Sequence, residues 1–112
     1  MAEVIIGTSI KIDNLEVAQH DFQDVMTWGD AKSACATLGE GWRLPTKDEL
    51  NLLYKNKDKI GGFTGYGFDG DFYWSSTLEK DFSPWCQAFD TGFQCTITYQ
   101  NDMHSVRAVR AF

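Results

Sequence analysis

Apolar side chains recur at spacings of three and four in two stretches of the chain, and each stretch carries its own start signal. In the first, Trp28, Ala31, Cys35 and Leu38, with Ala34 beside them, form one helical stripe. Thr27 stands just before it, where its hydroxyl can accept from a first-turn backbone N–H, and Asp30 lies near the positive end of the helix. Gly39 and Gly41 supply the stop. The second stretch opens with Pro45 and then Thr46-Lys47-Asp48-Glu49, a capping box in sequence, and Leu50, Leu53 and Tyr54 give its buried face. Lys55 to Lys59 reads as its charged end, closed by Gly61-Gly62. Between the helices, Trp42-Arg43-Leu44 is too short for a helix and predicts a core strand.

The remaining apolar runs are short and rich in β-formers. Val4-Ile5-Ile6, Ser9 to Ile12 and Leu15 to Ala18 predict β structure over 3–22, broken at Gly7 and turned at Asp13-Asn14. Residues 61–71, GGFTGYGFDGD, predict a loop, because glycine raises the entropic cost of regular structure. Phe72 to Ser76 predicts a strand, and Leu78 to Pro84 a polar connection. Trp85 to Phe89 and Phe93 to Tyr99 predict the arms of a hairpin around Asp90-Thr91-Gly92. Ser105 to Phe112 predicts a last strand, apolar on both faces as in the middle of a sheet. With Gly92 left-handed in a three-residue loop, Phe89 would face Phe93. Cys86 would then pair near Thr96 and Cys95 would point to the opposite face, a register unsuited to a disulfide.

Composition narrows the classes. The 112 residues predict a single domain spanning 1–112, and an aromatic share of 14% is enough for a core without metal or disulfide staples. A net charge of −6 argues against nucleic acid and anionic membrane as partners. No apolar run approaches the roughly 20 residues of a membrane span. The N-terminal stretch has no basic n-region or long apolar h-region, so no signal peptide is expected in this chain. Three cysteines, Cys35, Cys86 and Cys95, leave at least one outside any intrachain pair and do not demand an oxidising compartment.

The motifs together resemble a known family. W-x-x-A-x-x-x-C-x-x-L-G at Trp28 to Gly39, G-W-R-L-P-T-x-x-E-L at Gly41 to Leu50, Y-W-S-S-T at Tyr73 to Thr77 and V-R-A-V-R at Val106 to Arg110 resemble the Lcl-C family, named for the C-terminal domain of a bacterial collagen-like adhesin. The resemblance covers about residues 15–112. It implies an α+β, C-type-lectin-like fold, with two helices packed on twisted antiparallel β-sheets and the termini close together. Many family members bond the helix cysteine to a cysteine at the position of Ala108. Here that partner is missing, which implies a reduced Cys35.

Residues 78–112 resemble, more narrowly, the variable regions of diversity-generating retroelement targets, which end in a similar V-R-A-V-R stretch. Their surface positions are rewritten by adenine-directed mutagenesis of AAC codons, which can never yield Lys, Glu, Gln, Met or Trp. Cys86, Ala88, Asp90, Thr91, Phe93, Cys95, Thr96, Ile97, Thr98, Tyr99, Asn101, Asp102, His104 and Ser105 are all reachable from such codons. Trp85, Gln87, Gln94, Gln100 and Met103 are not, and would be fixed scaffold positions. No Lys or Glu occurs between Asp81 and Ser105. A buried hairpin would show the same depletion, so core packing with turn polarity stands beside this reading.

Other chemistry finds little support. Gln100-Asn101-Asp102 loosely resembles the Asn-Asp pair of calcium-dependent lectins, but its Glu-Pro-Asn companion is missing and a hard cation wants several oxygens. Asp69-Gly70-Asp71 reads as a solvated turn. His20 and His104 are far apart, no zinc spacing occurs, and nucleophile-elbow, phosphate-loop and zincin motifs are missing. The formylglycine-generating enzymes share the broader fold, but Cys86 and Cys95 do not sit in their motif. Arg43, Arg107 and Arg110 are expected to form buried structural pairs with acids such as Asp48 or Glu49.

The expectation is therefore a non-enzymatic ligand-binding protein without cofactor or metal. Trp28, Trp42, Trp74 and the helices would form the scaffold. The ligand face would comprise Cys86, Ala88, Asp90, Thr91, Phe93, Cys95, Thr96, Ile97, Tyr99, Asn101, Asp102 and His104, with aromatic anchors among adaptable polar groups. Its partner would be a protein or glycan at a cell or virion surface, with oligomeric state left open. The alternative is an unvaried surface adhesin domain that binds glycan or matrix.

Overall fold

Both long helices begin where their caps place them. The computed structural model describes residues 2–63, 72–79, 82–96, 100 and 102–111. Its helices are α1 (Ala2–Ile6), α2 (Trp28–Ala36), α3 (Lys47–Lys55) and α4 (Lys57–Ile60), and its strands are β1 (Ile10–Ile12), β2 (Leu15–Val17), β3 (Phe72–Leu78), β4 (Pro84–Ala88), β5 (Gln94–Cys95) and β6 (Val109–Ala111). The Thr27 hydroxyl accepts from Asp30 N at 3.4 Å. At α3 both halves of the capping box form: Glu49 N donates to Thr46 Oγ1 at 3.2 Å and Thr46 N to Glu49 Oε1 at 2.9 Å. Asn56 interrupts the expected charged end, so α4 is a separate turn, stopped at Gly61 with φ +78°.

Two three-stranded antiparallel sheets flank the helices, in the orders β1-β2-β6 and β3-β4-β5. The β1–β2 hairpin turns at Asp13-Asn14 as expected, with Asp13 at φ +53°. β2 pairs with β6, Leu15 opposite Ala111, so the beginning and end of the chain share one sheet.

Three expected elements differ. Val4-Ile5-Ile6 lies in α1 rather than a strand. Its carbonyls are used tertiarily: Ile5 O accepts from His20 N and Ile6 O from Gln19 N, and Ile5 is buried in the tryptophan core. Trp42-Arg43-Leu44 makes one bridge, Arg43 to Val109, rather than a strand. The last strand is regular only over Val109–Ala111. Residues 104–108 run beside the irregular 18–26 segment, joined by Met26 N to His104 O, Phe22 N to Val106 O and Ala18 N to Ala108 O.

The core falls into two clusters. Trp28, Trp42 and Trp74 are buried with Ala31, Cys35, Leu38 and Leu44, and Cys86, Cys95 and Ala108 belong to the same cluster. Two of these indoles donate to backbone carbonyls, Trp28 Nε1 to Ser75 O at 2.9 Å and Trp74 Nε1 to Met26 O at 2.7 Å. The second cluster packs Leu50, Leu53 and Ile60 of the helices against Tyr73, Phe89 and Val109.

Candidate functional site

The β4–β5 hairpin is fastened to the helices by amide side chains. Gln87, fully buried, donates to Asn51 Oδ1 at 2.9 Å and to Gly92 O at 3.0 Å. Gln94 donates to Lys47 O at 3.0 Å and to Gln87 Oε1 at 3.3 Å. Lys57 of α4 reaches Phe89 O at 2.9 Å. At the far end Trp85 donates to Glu79 and lies under Lys47, while Gln100 donates to Phe82 O at 2.8 Å. Sequence reasoning did not assign Asn51 or Lys57 to this network, and nothing in their local sequence spacing marks them.

The turn departs from the expected register. Phe89, expected opposite Phe93, leaves the ladder and buries its ring among Tyr54, Phe63 and Tyr73. Ala88 instead pairs with Phe93, Ala88 N donating to Phe93 O at 2.8 Å, and Gly92 N returns to Ala88 O. The loop gains a residue and the register slips by one. Gly92 keeps the expected left-handed conformation at φ +85°, and a Cβ there would meet the Tyr54 ring at 2.6 Å. Cys86 therefore stands directly opposite Cys95 rather than near Thr96, and both thiols are buried, Sγ to Sγ 3.8 Å.

The expected contact residues divide by burial. Asp90, Thr91 and Phe93 are exposed, Phe93 by 57%, and Thr96 and Asp102 are half-buried. Cys86, Ala88, Cys95 and His104 are buried, at 1%, 4%, 5% and 7% exposure, and this corrects the expected face: they can touch no partner without the hairpin opening. Each faces the core because the slipped register and the 104–105 bridges turn it inward. Ile97, Thr98, Tyr99 and Asn101 lie outside the described residues, as do Asp69-Gly70-Asp71 and most of the glycine-rich loop. Phe82, at 69% exposure and φ +64°, is an exposed apolar group that the sequence reading placed in a polar connection. Its signal was an aromatic residue inside a polar turn.

The arginines are structural, and two of the three have partners other than those expected. Arg43 pairs with Glu49 at 2.7 Å, as anticipated, but Arg107 pairs with Asp21 at 2.7 Å and Arg110 with Glu16 at 2.8 Å. Arg107 is wholly buried, whereas the side chains of Arg43 and Arg110 remain 40% and 39% exposed. Hydrogen bonds from Ser9 and Arg110 hold the Glu16 carboxyl below the usual range, and Arg43 does the same for Glu49. Burial pushes the Cys35 thiol up to about 12, so it is protonated and inert at neutral pH.

A cleft of about 630 Å³ lies between α1, residues 20–26 and the end of α2, lined by Val4, Ile5, Phe22, Met26 and Leu38 with His20, Asp21 and Asp24. None of the expected contact residues lines it. Among the described residues no three of His, Cys, Asp or Glu gather as metal ligands would, and no helix is long and apolar enough to cross a membrane.

The backbone is similar to that of botrocetin, with a TM-score of 0.66 over 95% of this chain and 98% of that one, at 12% identity. A chain of the complex between botrocetin and a von Willebrand factor A1 domain mutant aligns with a TM-score of 0.62 and the same coverage, at 11% identity. EMS16, an antagonist of the collagen receptor integrin α2β1, aligns at 0.59 over 93% and 97%, with 14% identity. These neighbours are C-type-lectin-like, and so is the fold of this chain. A comparison with curated proteins finds no match. The family model of the Lcl C-terminal domain matches residues 11–110, and the chain belongs to that family.

Proposed function

We propose that this protein is a non-enzymatic binding module whose β4–β5 hairpin displays a diversified contact surface. One observation carries the reading. Of the five positions between 85 and 103 that an AAC codon cannot reach, Gln87 and Gln94 bind the hairpin to α3 through their side chains, Trp85 lies under Lys47 of α3 and bonds Glu79, and Gln100 ties the segment after β5 to Phe82 O. The reachable Asp90, Thr91 and Phe93 stand exposed at the turn. That division separates fixed from free positions on physical grounds, since surface substitutions cost under about 0.5 kcal/mol. Met103, unreachable yet 47% exposed, does not follow it. The face then reduces to Asp90, Thr91, Phe93, Thr96 and Asp102, with Ile97, Tyr99 and Asn101 as further proposed members. Phe93 supplies an aromatic anchor beside a carboxylate and a hydroxyl, a combination suited to a protein surface. Botrocetin, of the same fold, has been seen in complex with a protein domain.

The second reading is an unvaried adhesin domain that binds glycan or matrix. Burial of Cys86, Ala88, Cys95 and His104 favours it, because buried positions do not vary freely. The flanking DNA separates the two. The proposal expects a near-repeat of the segment coding for 78–112, differing from it at adenines, with Asn codons at the exposed turn. A flanking sequence without such a repeat overturns diversification and leaves the adhesin reading, for which a glycan array is the direct assay.

A further inference from the structure

Cys86 and Cys95 are directly opposed residues on adjacent antiparallel strands, with sulfurs in contact at 3.8 Å. The bond from Ala88 N to Phe93 O marks Ala88 and Phe93 as a hydrogen-bonded pair. Two residues further along, Cys86 and Cys95 occupy the next such pair, where Cα atoms stand about 5.5 Å apart. That separation lies inside the range a disulfide spans without backbone movement. Cys35 lies on α2 in the same core cluster, its thiol kept protonated by burial, and the labelling test below asks directly whether it competes.

We propose that Cys86 and Cys95 form a reversible cross-strand disulfide, making the hairpin a site of thiol–disulfide exchange with small disulfides such as oxidised glutathione. This inference does not depend on which reading of the contact surface holds. The Cys95 thiolate, formed by loss of its proton, attacks one sulfur of oxidised glutathione. A mixed disulfide forms and one glutathione thiolate leaves. The Cys86 thiolate then attacks Cys95 Sγ, closes the protein disulfide and expels the second glutathione thiolate. The two protein thiols lose two electrons and two protons, and one glutathione disulfide is reduced to two thiols. Cys95 is placed first because β5 is a two-residue strand at the edge of its sheet, paired among the described residues to β4 alone. Cys95 is buried in the core cluster, and fraying of so short an edge is the local opening that exposes it.

Closing a loop of about ten residues limits the unfolded chain and lowers the unfolding equilibrium constant by roughly a hundredfold. The bond would also fix the strands just below the exposed turn.

The test equilibrates the full chain in glutathione buffers from reducing to oxidising, quenches with acid, alkylates in denaturant and measures intact mass. The expected reduced form takes three labels, one for each cysteine. The oxidised form takes one, on Cys35, and its unlabelled mass is lower by two hydrogens. Cleavage at Phe89 and Phe93 should leave the peptides holding Cys86 and Cys95 joined only in the oxidised sample. In Cys35→Ala the pair should oxidise unchanged, and Cys86→Ser should stop at the mixed glutathione disulfide. Three labels throughout, a persistent glutathione adduct in the unmutated protein, or a bond to Cys35 would overturn the proposal. So would an oxidised form that unfolds at lower urea than the reduced one.

Discussion

Replacing Asp21 with Asn removes the countercharge of the most deeply buried cation in the described structure. Arg107 has no exposed side-chain surface. Its Nε donates to Asp21 Oδ1 at 2.7 Å, its two terminal nitrogens reach Ala18 O and Gly61 O at 3.2 Å each, and the guanidinium lies 4.1 Å from the Phe63 ring centre. Tyr73 also donates its hydroxyl to Asp21. Asparagine keeps the shape and one acceptor but leaves the guanidinium with dipoles alone. Breaking such a pair from one side costs about 3–5 kcal/mol, a large part of the 5–15 kcal/mol typical of a whole domain. Urea unfolding followed by tryptophan fluorescence should show the midpoint falling by roughly 1.5–3 M at unchanged slope. The double variant Asp21→Asn, Arg107→Met should recover part of the loss, because the stranded charge is gone. An Asp21→Asn unfolding free energy within about 1 kcal/mol of the unmutated protein would refute the claim that this pair organises the junction of the 104–108 stretch, the 18–26 segment and the end of α4.

Thr46→Ala should cost about 1 kcal/mol by opening the capping box, and more than Thr27→Ala, whose only cap bond is 3.4 Å long; urea midpoints compare the two. Phe89→Ala should cost about 3–5 kcal/mol, while Phe93→Ala, four residues on, should cost under about 0.5 kcal/mol; equal losses would show that the turn is packed differently. Glu16 and Glu49 titrate below their ordinary value of 4.5 when folded, so the stability they contribute is complete above about pH 4.5 and is lost as pH falls through their lower folded values. The double variant Glu16→Gln, Glu49→Gln should therefore flatten the fall in urea midpoint below pH 4.5, and an unchanged acid slope would contradict these ion pairs.

What was legible in the sequence follows how local each determinant is. Thr27, Thr46 and Glu49 act within a turn of themselves, and both long helices began where those residues predicted. The stripe of Trp28, Ala31, Cys35 and Leu38 is buried as read. Asp13-Asn14 set its hairpin for the same reason. Val4-Ile5-Ile6 misled because its β-propensity was outweighed by tertiary use of its carbonyls and by burial of Ile5. The slipped hairpin had no local signal at all. Phe89 left the ladder for Tyr54, Phe63 and Tyr73, which come from other parts of the chain, and one residue of slip turned Cys95 to the same side as Cys86. Asp21 was likewise unreadable as the partner of Arg107, 86 residues away. Exposure of Asp90, Thr91 and Phe93 could be expected from the turn, but burial of His104 depended on its bridge to Met26.

The central claim is that the body of the fold and the turn it presents are separable. The direct measurement is the unfolding free energy of one variant in which Asp90, Thr91, Phe93 and Thr96 all become Asn. Asn at 91 can replace the threonine oxygen that now accepts from Phe93 N at 3.3 Å. A separable turn predicts a cooperative fold less stable by under about 2 kcal/mol, the sum of four surface changes. A loss above about 4 kcal/mol, or no cooperative transition, would mean that these side chains hold the protein together and are not free to meet a partner.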